Sequence, residues 1–235
     1  MPFGAMRHGF TFQPTAAAGP ARTTPLTITT GGNAQVDTAY KKFGTAGLLS
    51  DGVGDYIQAP MTYDFQNDDW TFEFWFKNDG QSNRHMAGLS DATYLSMLSC
   101  YHQGTSVRIY AGNNAGGWGW NAPITGFTTG GVWNHCAITK SGTQWYGYAD
   151  GAQTDLYNTS YSYNTTTLAV FGAAKNNGGY ESWPGSMDEM RISRGLRYTG
   201  AFTPSASAFT NDNDTLLLIH ADGSDGSTTF TDDAS

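Results

Sequence analysis

The chain has three glutamates, Glu73, Glu181 and Glu189. Cleaving a glycosidic bond takes two carboxyl groups flanking it, about 5–9.5 Å apart. Asp188 and Glu189 are adjacent, so in an extended segment they leave on opposite sides of the backbone. Glu181 falls in a Gly- and Asn-rich stretch that reads as a loop. Glu73 alternates with aromatic residues and is expected to face outward or to pair locally. No carboxylate pair suited to hydrolysis emerges. Nucleophilic chemistry fares no better: no Gly-x-Ser-x-Gly elbow occurs, and His8, His85, His102, His135 and His220 show no ligand-type spacing. His135 and His220 read as hydrogen-bonded strand residues. The expectation is a chain with no catalytic residues.

Binding chemistry is better represented. Hard cations favour clustered oxygen ligands. Such oxygens occur at Asp51 with Asp55, in the run Asn211-Asp212-Asn213-Asp214, and at Asp222 with Asp225. The same residues also build turns without any metal, and both readings stand. Saccharides favour aromatic platforms beside planar polar groups. Residues 113–121 offer Trp118 and Trp120 among Asn and Gly, and residues 175–183 offer Tyr180 and Trp183 beside Glu181. Tyr157, Tyr161 and Tyr163 form a third aromatic group. Trp118, Trp120, Tyr180 and Trp183 are therefore candidates for contact with a glycan or a partner subunit. If residues 118–120 are extended, Trp118 and Trp120 share a side.

The elements that must carry these groups read as strands. Trp70, Phe72, Phe74 and Phe76 fall at every other position, a period of two that fits a strand over a thick apolar core. Further strand signals cover residues 26–30, 41–49, 56–59, 86–89, 94–101, 106–111, 133–140, 144–149, 167–173, 186–193 and 215–220, with Gly-rich turns such as 51–55 between them. Residues 112–131 read as one long loop. No βαβ alternation and no long amphipathic helix is visible. Two-sheet antiparallel packing in a single domain of 26–235 accounts for the 235 residues, 14% aromatic and 14% charged. Residues 1–25 lack any period and contain four prolines, which suits either a disordered tail or an extended arm whose Phe3, Phe10 and Phe12 would anchor by apolar burial.

The net charge of −8, with no basic stripe, argues against nucleic-acid binding. No stretch is apolar enough for membrane insertion, and the first 25 residues show no signal-peptide pattern. Cys100 and Cys136 read as buried reduced thiols, although one bridge between them stays open.

Several segments, in order, resemble a known family. These are Lys-Phe-Gly-Thr-Ala-Gly-Leu (42–48), Asp-Gly-Val-Gly-Asp-Tyr-Ile (51–57), Trp-Thr-Phe-Glu-Phe-Trp-Phe (70–76), Val-Trp-Asn-His-Cys-Ala-Ile-Thr-Lys-Ser-Gly (132–142), Tyr-Ala-Asp-Gly (148–151), Gly-Ser-Met-Asp-Glu-Met-Arg-Ile-Ser-Arg-Gly (185–195) and Tyr-Thr-Gly-Ala-Phe-Thr-Pro (198–204). The series resembles the laminin-G-like, concanavalin A-like jelly rolls over about residues 30–220, in the form carried by bacteriophage and marine viral particle proteins. The resemblance implies an all-β, two-sheet antiparallel jelly-roll sandwich, one sheet concave and one convex. It implies adhesion, structure or glycan binding more than catalysis, since catalytic relatives carry Glu-x-Asp-x-x-Glu on a strand and this chain does not. It also implies a structural Ca2+ near Asp188 and Asp222. In tandem relatives a segment like 216–232 precedes one like 31–39, whereas here they lie at opposite ends. The tail would then either close its own domain or complete a neighbour's. The expectation is a non-enzymatic virion structural protein, a head decoration or tail-fibre component assembled in the host cytoplasm. It would contact other virion proteins and form a homo-oligomer. A carbohydrate-binding lectin module is the alternative.

Overall fold

The computed structural model describes residues 22–78, 83–91, 96–113, 117–158, 162–163, 166–176 and 179–235. Phe3, Phe10 and Phe12 lie outside them, as does Tyr161. The described residues form strands and irregular segments with no helix. In chain order the strands are β1 Thr29–Gly31, β2 Gln35–Asp37, β3 Gly47–Asp51, β4 Tyr56–Pro60, β5 Trp70–Asn78, β6 Arg84–Ser90, β7 Ser96–Gln103, β8 Ser106–Gly112 and β9 Trp118–Thr125. They continue with β10 Val132–Ser141, β11 Gln144–Ala149, β12 Ala152–Asn158, β13 Leu168–Phe171, β14 Ala173–Asn176, β15 Gly179–Ser182, β16 Pro184–Arg194 and β17 Thr215–Ile219.

Two antiparallel sheets pack face to face. One runs β1-β4-β13-β6-β7-β8-β9, the other β12-β11-β10-β5-β16-β3-β2 with β17 on β16, and β14-β15 is a separate hairpin. The expected jelly-roll sandwich is the architecture observed. Its interior is set by alternation on β5. Trp70, Phe72, Phe74 and Phe76 point between the sheets, where Phe72 stacks on Phe171 of the opposite sheet at 5.2 Å. Each such ring contributes about 1.5–3 kcal/mol when fully buried. Cys100 and Cys136 are buried free thiols in this core, and burial raises the pKa of each.

The two outer faces differ, and this difference positions the candidate site. On the eight-stranded sheet, the other side of β5 (Thr71, Glu73, Trp75) is buried as well. The C-terminal third of the chain lies over it. Phe209, Leu218 and Ala234 pack with Trp75, and Tyr198 stacks on Phe202 at 3.5 Å. Gly151 is required here: with φ +84 it sits so close that a side chain would collide with the Phe202 carbonyl. On the seven-stranded sheet no such layer exists among the described residues at β8 and β9, whose burial alternates residue by residue. Among the described residues the β14-β15 hairpin covers part of it, with Ala174 over Gly88 of β6.

The tail closes its own domain. β17 pairs with β16 of the same chain, the Val36 amide donates to the Ser227 carbonyl at 2.8 Å, and Thr38 donates to Asp225 at 3.0 Å. Arg22 and the Leu26 amide both reach Asp232.

Three expectations need correction. Residues 112–131 hold β9, which sequence patterning missed because Gly119 and Pro123 interrupt it. As an edge strand β9 tolerates a proline that an interior strand would not. No strand signal covers the edge strand β12, and the stretch around Glu181, read as loop, forms β15 of the β14-β15 hairpin. Residues 41–46, read as strand, form a loop instead.

Candidate functional site

The candidate site grows from the outer face of β6–β9, which the β14-β15 hairpin covers in part. Inward positions there are Cys100, Val107, Ile109, Ala111, Ala122 and Ile124, so the alternate residues Ser99, Tyr101, Arg108, Tyr110 and Asn121 turn outward. A bulge at Ala111/Gly112 sets Gly112 opposite Trp118 and Ala111 opposite Trp120. One extra residue reverses the phase of the strand. Trp118 therefore stands on the outer face, 37% exposed. Trp120 turns inward, packs on Trp145 at 5.1 Å and stacks on Tyr157 at 4.7 Å. The expectation that the two tryptophans share a side is thus corrected by the bulge.

Around Trp118 the rings form a connected platform. Tyr110 lies 5.1 Å away, Tyr101 lies 5.9 Å beyond Tyr110, and His85 is held 4.8 Å from Tyr101 and 6.1 Å from Trp118, nearly parallel to the indole. His85 Nδ1 is 2.5 Å from Ser99 Oγ. Its Nε2 faces Glu181 Oε2 at 3.6 Å. Burial lowers the His85 pKa and the Glu181 charge opposes this without cancelling it, so the ring is neutral at pH 7. Burial, then the Glu181 charge, raises the Tyr101 pKa. The polar rim consists of Arg84, whose Nη1 is 3.9 Å from Glu181 Oε1, and Arg108, which donates to Asn121 Oδ1 at 2.6 Å. The platform continues across the hairpin, where Tyr180 stacks on Tyr56 at 3.8 Å and its hydroxyl meets Gln58. Burial pushes the Tyr180 hydroxyl up to about 12.

The structure thus brings Trp118, Tyr180 and Glu181 to one face and removes Trp183. The Trp183 indole is buried, lies 6.3 Å from Phe76 and donates to His102 Nδ1 at 3.3 Å. Sequence reading missed His85, Tyr101, Tyr110 and Arg108. Their outward phase on β6–β8 was available from alternation, but which sheet face stays open was not.

Asp188 and Asp222 both accept hydrogen bonds from the 40–46 loop. Asp188 is fully buried. Its Oδ2 accepts the Lys42 and Phe43 amides at 2.6 and 3.0 Å, and its Oδ1 accepts the Glu189 amide at 2.8 Å. Burial pushes its pKa up to about 7 against the pull of these donors. Asp222 accepts from the Thr45 amide and hydroxyl and from the Ala46 amide. Burial alone would raise the Asp222 pKa, but these donors outweigh it and hold the group low. The two carboxylates fasten the 40–46 loop. A carboxylate ringed by N–H donors is a poor cation ligand, because those dipoles present positive ends to the ion. Among the described residues no group of three or more His, Cys, Asp or Glu gathers in metal-binding fashion. We expect added Ca2+ to leave the thermal midpoint unchanged; a saturable rise of several degrees would show that these oxygens bind it.

A cleft of about 700 Å³ opens between Tyr63, Gln66, Asn67 and Tyr163. Its polar groups are already engaged, however: Asp64 caps the Gln66 and Asn67 amides, Gln66 accepts from the Tyr163 amide, and Tyr63 donates to the Asp69 carbonyl.

Comparison with known proteins agrees with this architecture. The laminin-G profile described as the concanavalin A-like lectin/glucanases superfamily matches residues 51–199. No curated protein matches the chain. Domain 4 of AbnA, an extracellular GH43 arabinanase from Geobacillus stearothermophilus solved with arabinotriose, is 18% identical with a TM-score of 0.53, over 72% of this chain and 82% of that one. The botulinum neurotoxin type C structure, described by an interaction with two ganglioside molecules, is 8% identical with a TM-score of 0.53, over 77% and 48%. The binding domain of botulinum neurotoxin serotype D is 13% identical with a TM-score of 0.51, over 76% and 44%. The chain thus spans less than half the length of either toxin structure, and at these identities the likeness is one of fold.

Proposed function

The chain belongs to the concanavalin A-like lectin/glucanase superfamily, and from that premise we propose that it binds saccharides, without cleaving them, on the outer face of its seven-stranded sheet. One observation carries this reading: a bulge lifts Trp118 out of the core into a platform with Tyr101, Tyr110 and His85, rimmed by Glu181, Arg84, Arg108 and Asn121. The C–H face of a sugar ring lies flat on such rings, while its hydroxyls take planar donors and acceptors from the rim. The neutral His85 ring supports Trp118 from behind. That the arabinanase domain was solved with an arabinose trisaccharide and that the type C toxin engages gangliosides support the ligand class.

Binding without cleavage follows from how the carboxylates are spread. Glu181 belongs to the platform, whereas Glu73, Asp188 and Glu189 belong to the opposite sheet. A hydrolytic pair would need two of them within reach of one bond.

A place in a virus particle, with residues 1–25 as the anchor, is the setting in which we expect such a face to act. That part of the proposal rests on Phe3, Phe10 and Phe12 and is separable from the glycan face. A variant lacking residues 1–21 should still bind saccharide while failing to enter particles.

The test of the face is a glycan array with the intact protein beside Trp118→Ala. Retention of specific glycans by the wild type and their loss in the variant are expected. An array with no retained glycan, or an unchanged pattern in the variant, would refute the site.

A further inference from the structure

We propose that the small cavity walled by Arg22 and Arg194 is a binding site for a compact oxyanion: phosphate, sulfate or a carboxylate. The cavity measures about 190 Å³ and is otherwise lined chiefly by Leu26, Met61, Tyr63 and Leu216. At roughly 30 Å³ per water in the liquid, it has room for a tetrahedral anion with a few waters.

The two guanidinium groups supply the argument. Arg22 donates from Nη1 to the Leu216 carbonyl at 2.7 Å and from Nη2 to Asp232, yet its Nε is buried with no acceptor. Arg194 Nε is buried without an acceptor too. Among the described residues no carboxylate forms a salt bridge with Arg194. The nearby acid Asp69 is committed elsewhere, to Ser141 and the Gly142 amide. A buried donor without a partner costs about 1–3 kcal/mol, and each of the two arginines lining this cavity carries one. Guanidinium groups pair with oxyanions through parallel N–H donors, which suits this wall. Residues 1–21 contain no Asp or Glu, so that segment offers no carboxylate to these guanidiniums.

This site is independent of the saccharide platform and is tested separately. The intact protein and Arg194→Gln are unfolded thermally in sodium phosphate, sodium sulfate and sodium acetate, each against sodium chloride at matched ionic strength. General salting effects act on both proteins alike, so the readout is the difference between them. We expect a saturable rise for at least one oxyanion in the wild type, and a half-saturation at least tenfold higher in the variant. Acetate acting alone would assign a carboxylate ligand, and phosphate or sulfate a tetrahedral one. Identical curves for the two proteins overturn the proposal. Selenate diffused into crystals of the wild type gives a second test that does not depend on the variant's folding. An anomalous peak between the two guanidiniums supports the site, and an empty cavity at saturating selenate refutes it.

Discussion

Replacing Glu73 by Ala is expected to destabilise the fold by about 3–5 kcal/mol, the usual cost of stripping one partner from a buried ionic group. Glu73 is wholly buried beneath the C-terminal layer. Its Oε1 accepts Arg191 Nε at 2.8 Å and Nη2 at 2.7 Å, and its Oε2 accepts the Tyr198 hydroxyl at 2.6 Å and faces His135 Nε2 at 3.1 Å. Removal leaves the Arg191 charge and the Tyr198 hydroxyl without that acceptor. Chemical denaturation of wild type and variant measures the loss, which is a large share of the 5–15 kcal/mol typical of a domain. A change below about 1 kcal/mol would mean that the network contributes little to holding the C-terminal layer in place.

The same carboxylate gives the acid limb of stability its sign. Burial alone would raise the Glu73 pKa, but the hydrogen bond from His135 and the Arg191 charge outweigh it and hold the pKa at about 2 against an ordinary 4.5. A folded pKa below the unfolded one contributes stability that is complete above pH 4.5 and is lost as pH falls through 2. The difference corresponds to about 3 kcal/mol. Asp188 acts the other way, because its pKa is raised to about 7. Its contribution is complete below the ordinary carboxyl range and is lost as pH climbs toward 7. Stability of Glu73→Gln measured against pH should lack the fall that Glu73 contributes between pH 4.5 and 2 and keep the decline toward neutrality that Asp188 contributes.

The second large effect is on binding. Trp118→Ala should weaken saccharide affinity by about 10–150-fold, equivalent to about 1.5–3 kcal/mol for a central aromatic anchor. Trp118 is partly exposed and at an edge strand, so the variant should unfold within about 1 kcal/mol of wild type. Trp120→Ala is the contrasting control. Its side chain is buried against Trp145 and Tyr157, and its loss should cost about 3–5 kcal/mol of stability. Calorimetry with an array-selected glycan, paired with thermal unfolding, separates the two outcomes. Equal losses of stability in both variants would place Trp118 in the packing rather than on a platform.

Much of this was legible before any fold was seen. The alternation Trp70, Phe72, Phe74, Phe76 identified a core strand because side-chain direction along an extended backbone is fixed locally. The β10–β11 hairpin around Ser141-Gly142 was legible for the same reason, since its pairing runs from Cys136–Ala149 to Ser141–Gln144. The partners of Glu73 were not: Arg191 and Tyr198 lie 118 and 125 residues away, and only the folded topology brings them under the same strand. Trp118 was picked by composition, but its separation from Trp120 depends on a single bulge opposite Gly112, which no periodicity can show. Trp183 was misplaced because residues 176–185 are rich in Gly and Asn, with Pro184 after the ring, a composition that marks a loop without telling which side chain turns inward. Which sheet face stays open depends on where residues 195–235 lie, a long-range fact absent from any local pattern.

The most direct test is an amide and indole spectrum of the intact, isotope-labelled protein during titration with an array-selected glycan. The account predicts saturable shifts in the Trp118 indole and in the amides of Tyr101, Tyr110 and Glu181, with the Trp75 indole on the covered sheet unmoved. Shifts confined to the covered sheet or to the 700 Å³ cleft near Tyr63, with Trp118 silent, would contradict it.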